Sequence, residues 1–121
     1  MQITLQLPYP PSVNHYYKRS RWGGVTIGAS VRKYRHAVKL IAATCGVRKI
    51  TIPVHVHIIL HPPDKRRRDV DNVLKGLLDA IQKSGIIEDD FQIESLFIAR
   101  REVQRPKGCA VITIEPAGTH E

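Results

Sequence analysis

The sequence predicts an α+β fold, a four-stranded mixed sheet packed against helices in the order β-α-β-α-β-β. Three observations lead there. Apolar residues alternate with polar ones at Ile3, Leu5 and Leu7 and again at Val54, Val56, Ile58 and Leu60, the period of a half-buried strand. Two other stretches carry apolar residues at helical spacing. Gly and Pro punctuate the boundaries between them.

The first strand is expected from Gln2 to Leu7, stopped by Pro8, Pro10 and Pro11. Ser12 to Gly28 reads as a long loop turning at Gly23-Gly24. A loop of this length in a compact domain is usually functional or disordered. Ser30 reads as the N-cap of a helix from Val31 to Cys45, with Tyr34, Val38 and Ile41 on one stripe and Gly46 as its stop. Thr51 to Leu60 is the second strand. His55 and His57 share its less buried face, where two imidazoles at i, i+2 can bind a metal but more often only line a sheet. His61 to Arg68 is a loop shaped by Pro62-Pro63. The second helix follows to Ser84, its apolar stripe formed by Val73, Leu74, Leu77, Leu78 and Ile81, and Gly85 ends it. The third strand is expected from Gln92 to Val103, a turn at residues 105–108, and the fourth strand from Cys109 to Glu115.

With 121 residues and no repeat or low-complexity segment, residues 1–121 are read as a single domain. No apolar run is long enough to span a membrane and the N-terminus does not read as a secretory signal, so a cytoplasmic protein is expected. Cys45 and Cys109 form neither a disulfide framework nor a zinc motif and are expected to be small buried apolar residues. The net charge is +8, and residues 1–50 contain no acid at all while holding nine Lys and Arg. Charge so one-sided points to a polyanion, most often nucleic acid, as partner.

The chemistry concentrates in Asp64-Lys65-Arg66-Arg67-Arg68-Asp69-Val70-Asp71-Asn72-Val73-Leu74-Lys75, followed later by Asp89-Asp90. Lys65, Arg66, Arg67 and Arg68 present four cations to a phosphate backbone. Asp69 and Asp71 would repel each other in a dry cleft unless a divalent ion lay between them. Magnesium, with manganese able to stand in, takes oxygen ligands and leaves positions open for water and phosphate. Asp71 can also cap the helix. Lys75 lies one turn beyond it and brings an ammonium near any bound phosphate. Asp90, just ahead of a strand, can return towards the same place. Three carboxylates and a lysine suit phosphodiester hydrolysis, the metal activating water and the lysine offsetting charge. Each residue also has a plain reading, as cap, surface pair or turn. Asp79, spaced i, i+4 from both Lys75 and Lys83, keeps that plain reading and stays outside the expected site.

The run Arg68-Asp69-Val70-Asp71-Asn72-Val73-Leu74-Lys75, with Leu78-Asp79-Ala80, Gly85 and Asp89-Asp90-Phe91-Gln92-Ile93, resembles that of RusA-type Holliday junction resolvases. The opening Leu7-Pro8-Tyr9-Pro10-Pro11-Ser12-Val13-Asn14 is similar to the same family's first strand and loop. The resemblance implies that Asp69, Asp71 and Asp90 are the metal-binding, catalytic acids and Lys75 the catalytic lysine. It implies DNA contacts from Ser12, Val13, Asn14 and His15 and from Lys65, Arg66, Arg67, Arg68 and Asn72, with Asp89 supporting Asp90. It also implies a homodimer that makes paired, magnesium-dependent nicks across a four-way DNA junction. Two alternatives stand beside this reading: a magnesium nuclease for other branched nucleic acid, and a nucleic-acid-binding module that cuts nothing.

Overall fold

The computed structural model describes residues 2–12, 17–19 and 25–118. Its main sheet has four strands: β1 (Ile3–Leu7), β4 (Val54–His61), β5 (Ile93–Arg100) and β6 (Cys109–Pro116), in the spatial order β1-β6-β4-β5. β6 pairs antiparallel with β1 and β4, whereas β4 and β5 run parallel, so the sheet is mixed. The parallel pair follows from the connection between them. A helix, α2 (Asp71–Lys83), carries the chain back across the sheet, as parallel neighbours require.

The alternation in the sequence decides which face is covered. Leu5, Leu7, Val54, Val56, Ile58, Leu60, Ile112 and Ile114 all point inward and are buried. Against them lie α1 (Ala29–Thr44), through Tyr34, Val38 and Ala42, and α2, through Val73, Leu77, Ala80 and Ile81. Ile50 and Ile87 join in a parallel bridge that closes the end of this core. Among the described residues the other face of the sheet stays open, with the rings of His57 and Phe97 stacked at 4.5 Å between centroids. His55 Nδ1 lies 2.6 Å from Ser95 Oγ on the same face, so both histidines sit where the alternation placed them.

The differences from the sequence reading are local. The segment read as one long loop contains a small antiparallel pair, β2 (Tyr17–Arg19) and β3 (Val25–Ile27). α1 starts earlier than Val31: Gly28, in an extended conformation, is its N-cap and accepts from the amides of Val31 and Arg32, so Ser30 lies inside the first turn. β4 begins at Val54 and takes in His61, whose ring is buried with Nδ1 donating to the Glu102 carbonyl at 3.0 Å. Gln92 is not in a strand but ends a short 3-10 helix (Asp90–Gln92), and β5 stops at Arg100, next to the end of β4. Cys109 is buried as expected, its thiol donating to Gln104 Oε1 at 3.2 Å, but Cys45, the C-cap of α1, is exposed because α1 turns its other face to the core.

Candidate active site and nucleic-acid interface

The loop between β4 and α2 is organised by an acid outside the expected site. Asp64 Oδ1 accepts from the Arg66 amide at 2.9 Å and meets Arg68 Nη1 at 2.7 Å. The Arg68 guanidinium also donates to the carbonyls of Asp64 and Arg66 at 3.2 and 3.3 Å, and lies over the Tyr9 ring, 5.7 Å from its centroid. Arg100 of β5 donates to the Arg68 carbonyl at 2.6 Å. Arg68 is therefore folded into the loop, while Lys65, Arg66 and Arg67 are exposed. The Asp64–Arg68 spacing of i, i+4 was the available sequence signal for this clasp.

The hydrogen bonds from Arg68 and from the Arg66 amide hold the Asp64 carboxyl down to about 2, from an ordinary value of 3.8. A depressed carboxyl stabilises the folded loop fully above pH 3.8, and that contribution fades as pH falls through about 2. Carboxyl NMR titration is therefore expected to put the Asp64 midpoint near 2, and Arg68→Ala to return it towards 3.8. An unshifted midpoint in the unmodified protein would mean that the clasp does not form in solution.

The same loop forms one wall of a cleft of about 340 Å³, lined by Tyr9, Pro10, Ser12, Arg66, Arg67, Arg68, Asn72 and Val73. Five of the residues expected to face nucleic acid, Ser12, Arg66, Arg67, Arg68 and Asn72, are thus brought together from two distant parts of the chain. Lys65 is exposed on the same loop. Val13, Asn14 and His15 lie outside the described residues. The opposite wall is held in place by α1 and α2. Tyr34 Oη donates to the Pro8 carbonyl at 2.7 Å, and the Pro11 carbonyl would lie only 3.3 Å from a Cβ at Gly76.

The acids fall into two groups along α2. Asp69 and Asp71 are exposed at its start. The N-cap position is Val70, in helical conformation, and no side chain caps the helix, so Asp71 does not play the capping role open to it in the sequence. Its charge still lies in the first turn, where the helix dipole favours it. Asp79 is eight residues further on, about 12 Å along the axis. Side chains on a helix lean towards its N-terminus, and Asp79 reaches back to within 3.7 Å of Lys75 Nζ. It also meets Arg35 Nη2 of α1 at 3.9 Å. The surface reading of Asp79 captured the Lys75 pair but not the partly buried Arg35 contact.

Asp90 begins the 3-10 helix that packs against α2. Its neighbours fix it tightly. Asp89 Oδ1 accepts from the Phe91 amide at 3.0 Å, and Gln92 Oε1 accepts from the amides of Glu88 and Asp89 at 2.7 and 2.8 Å. This is a capping box, and the D-x-x-Q spacing is its signature in sequence. Gln92 Nε2 then donates to the carbonyls of Ile50 and Ile52, both at 2.9 Å, pinning the turn to the segment before β4. Asp89 thus caps the turn on which Asp90 stands. The Asp89 carboxyl, hydrogen-bonded to Asp90, pushes the Asp90 carboxyl up, and the charge of Asp79 adds to the effect. The Phe91 amide holds Asp89 below the usual range. Among the described residues, no three His, Cys, Asp or Glu side chains gather into one metal-holding group.

The family profile described as endodeoxyribonuclease RusA matches residues 8–115. The chain is 38% identical over 100 residues to the crossover junction endodeoxyribonuclease of Enterobacteria phage HK97, covering 78% of each. It is 36% identical over 102 residues to the enzyme of the same name from Enterobacteria phage 82, covering 84% of each. Over 103 residues it is 35% identical to the one from Escherichia coli (strain K12), covering 84% of this chain and 85% of that one.

Proposed function

The chain belongs to the RusA family of endodeoxyribonucleases, and we propose that it works as its relatives are named, as a crossover junction endodeoxyribonuclease. It hydrolyses phosphodiesters at Holliday junctions, in DNA recombination and repair. The observation that carries this reading is the cleft, in which cations and hydrogen-bonding groups from the N-terminal segment and the basic loop converge along the stretch from Arg66 to Val73, within which Asp69 and Asp71 stand in the sequence.

The residues assigned to chemistry are Asp69, Asp71, Asp90 and Lys75. The donor chemistry fits a hard divalent ion, since the candidate ligands are exposed carboxylates. Magnesium usually takes only one or two carboxylates and fills its remaining positions with water and phosphate oxygens, so it needs no three-acid cage within the chain. Asp69 and Asp71 at the start of α2 would hold it, Asp90 in the separate group at the 3-10 helix is proposed as a further metal-binding acid, and manganese can replace magnesium. When bound, the ion polarises the phosphate and lowers the pKa of attacking water. The cleft grips the backbone of the DNA and sets its position relative to the acids. Lys75 supplies a positive charge beside the phosphate, where negative charge builds up as the bond breaks.

A homodimer completes the reading. A four-way junction has approximate two-fold symmetry, and two copies related by the same symmetry put one site on each of two opposed strands. The open edge of β5, with exposed Leu96 and Phe97, and the exposed Phe91 beside Asp90 offer apolar surface that a second copy would cover. No helix among the described residues is long and apolar enough to cross a membrane. The cytoplasm is the proposed site of action.

The test is cleavage of a synthetic four-way junction, a flap and a linear duplex, with and without magnesium, with the nicks mapped on each strand. Symmetric paired nicks on the junction, dependent on the metal, are expected. Comparable cutting of the flap would shift the substrate to branched DNA in general. Binding without breakage in any divalent metal would leave a non-catalytic module.

A further inference from the structure

We infer that Asp79 is a positioning residue for the reaction, holding the Lys75 ammonium in its working place with Arg35 as the anchor behind it. The inference rests on the reading of Lys75 just given and extends the site into a part of α2 that the sequence pattern assigned to surface.

The geometry is a chain of three charges across two helices. Arg35 on α1 reaches Asp79 on α2 at 3.9 Å, and Asp79 reaches Lys75, one turn nearer the start of α2, at 3.7 Å. The side chains of Arg35 and Asp79 are only 19% and 24% exposed, while that of Lys75 is 51% exposed. A lysine on a solvent-facing position has a flexible four-carbon stem and many rotamers of similar energy. A carboxylate one turn away narrows that choice. The carboxylate itself is half-buried at the α1–α2 contact and is oriented by a guanidinium from the neighbouring helix. The position of Lys75 is thereby tied to the packing of the helices and not left to the solvent.

Place in the fold adds a second reason. α2 packs against the 3-10 helix beginning at Asp90, and the charge of Asp79 is felt at that carboxyl. Asp71 is at the other end of the same helix. Lys75 lies between the two acid groups, so the contact that settles where its ammonium points also settles which group it serves. Asp79 touches no substrate in this arrangement. It acts through Lys75.

The experiment compares Asp79→Asn, Asp79→Glu, Lys75→Ala and the Asp79→Asn/Lys75→Ala double variant in junction cleavage, measuring kcat and KM separately. Thermal melts and gel shifts accompany each. Asp79→Asn should lower kcat on the order of ten- to a hundredfold, the scale of misplacing a reacting group by about an ångström, with KM changed little. Asp79→Glu should recover part of the loss. In the Lys75→Ala background, adding Asp79→Asn should cost almost nothing more, because the group it positions is gone. A merely structural role would instead give an additive loss that tracks the melting temperature. If Asp79→Asn melts too early to assay, Arg35→Gln, which removes the anchor and leaves the carboxylate, carries the same expectation. Near-normal kcat in Asp79→Asn, or an undiminished effect in the double variant, overturns the inference. Near-normal cleavage by Lys75→Ala overturns the earlier reading of Lys75, a separate outcome.

Discussion

Changing Asp69, Asp71 or Asp90 to Asn is expected to give a protein that still binds a four-way junction but no longer cuts it. The amide keeps the shape of the side chain and removes the charge that holds a divalent ion. None of the three carboxylates supports the core: all are exposed, and α2 takes no side-chain cap from Asp69 or Asp71. Folding should therefore survive, and junction affinity should be equal or higher, since each change removes a negative charge facing phosphate. Lys75→Ala belongs in the same series. Loss of one preorganised charge at such a site typically costs on the order of a hundredfold in rate. Gel shift and nicking in magnesium read the two effects apart. An Asp69→Asn or Asp71→Asn protein that nicks at the normal rate would return those acids to an ordinary helix start beside a basic loop.

The second large effect should appear in the salt dependence of binding. Lys65, Arg66 and Arg67 are exposed, while Arg68 is committed to Asp64, Tyr9 and loop carbonyls. Changing the first three together to Gln should weaken junction binding and flatten the plot of log affinity against log salt by roughly 0.9 for each phosphate no longer neutralised. Arg68→Gln should act differently. Removing it unties the loop that presents the other three, so weaker binding should come with a lower melting temperature. A triple variant with an unchanged slope would move the DNA surface elsewhere, towards the basic face of α1.

The parts of this molecule that were legible in the sequence are those in which near neighbours along the chain decide the outcome. The stripe of Val73, Leu77 and Ile81 repeats at the helical period and is bounded by Gly85, and the alternation from Val54 to Leu60 could only be a strand with one covered face. The basic run and the D-x-D-N-x-x-K pattern likewise lie within a dozen residues. What escaped the reading depends on distant partners or on very short elements. β2 and β3 are three residues each, too short for any period to register, and they exist through pairing with each other. The Arg35–Asp79 contact needs the packing of α1 on α2, and the bond from Arg100 to Arg68 needs β5 beside β4. Gln92 looked like the start of a strand, but its amide bonds the Asp89 carbonyl at 3.0 Å to close the 3-10 turn, and its side chain ties that turn to carbonyls some forty residues away. The apolar content of α1 was visible, but not that its C-cap would point outward and expose Cys45.

The absent side chain at Gly76 sets a dimension. With only a hydrogen there, the Pro11 carbonyl sits directly on α2, and the proline segment on one wall of the cleft is drawn in against the helix that carries Lys75 and Asn72. A methyl group at position 76 would have to push the Pro11 carbonyl, 3.3 Å away, outward by a few tenths of an ångström, and with it the neighbouring Ser12 of the cleft wall. Charge and spacing thus belong to different residues: the basic loop carries the positive charge of the cleft, and the contact at residue 76 bears on where its proline wall stands.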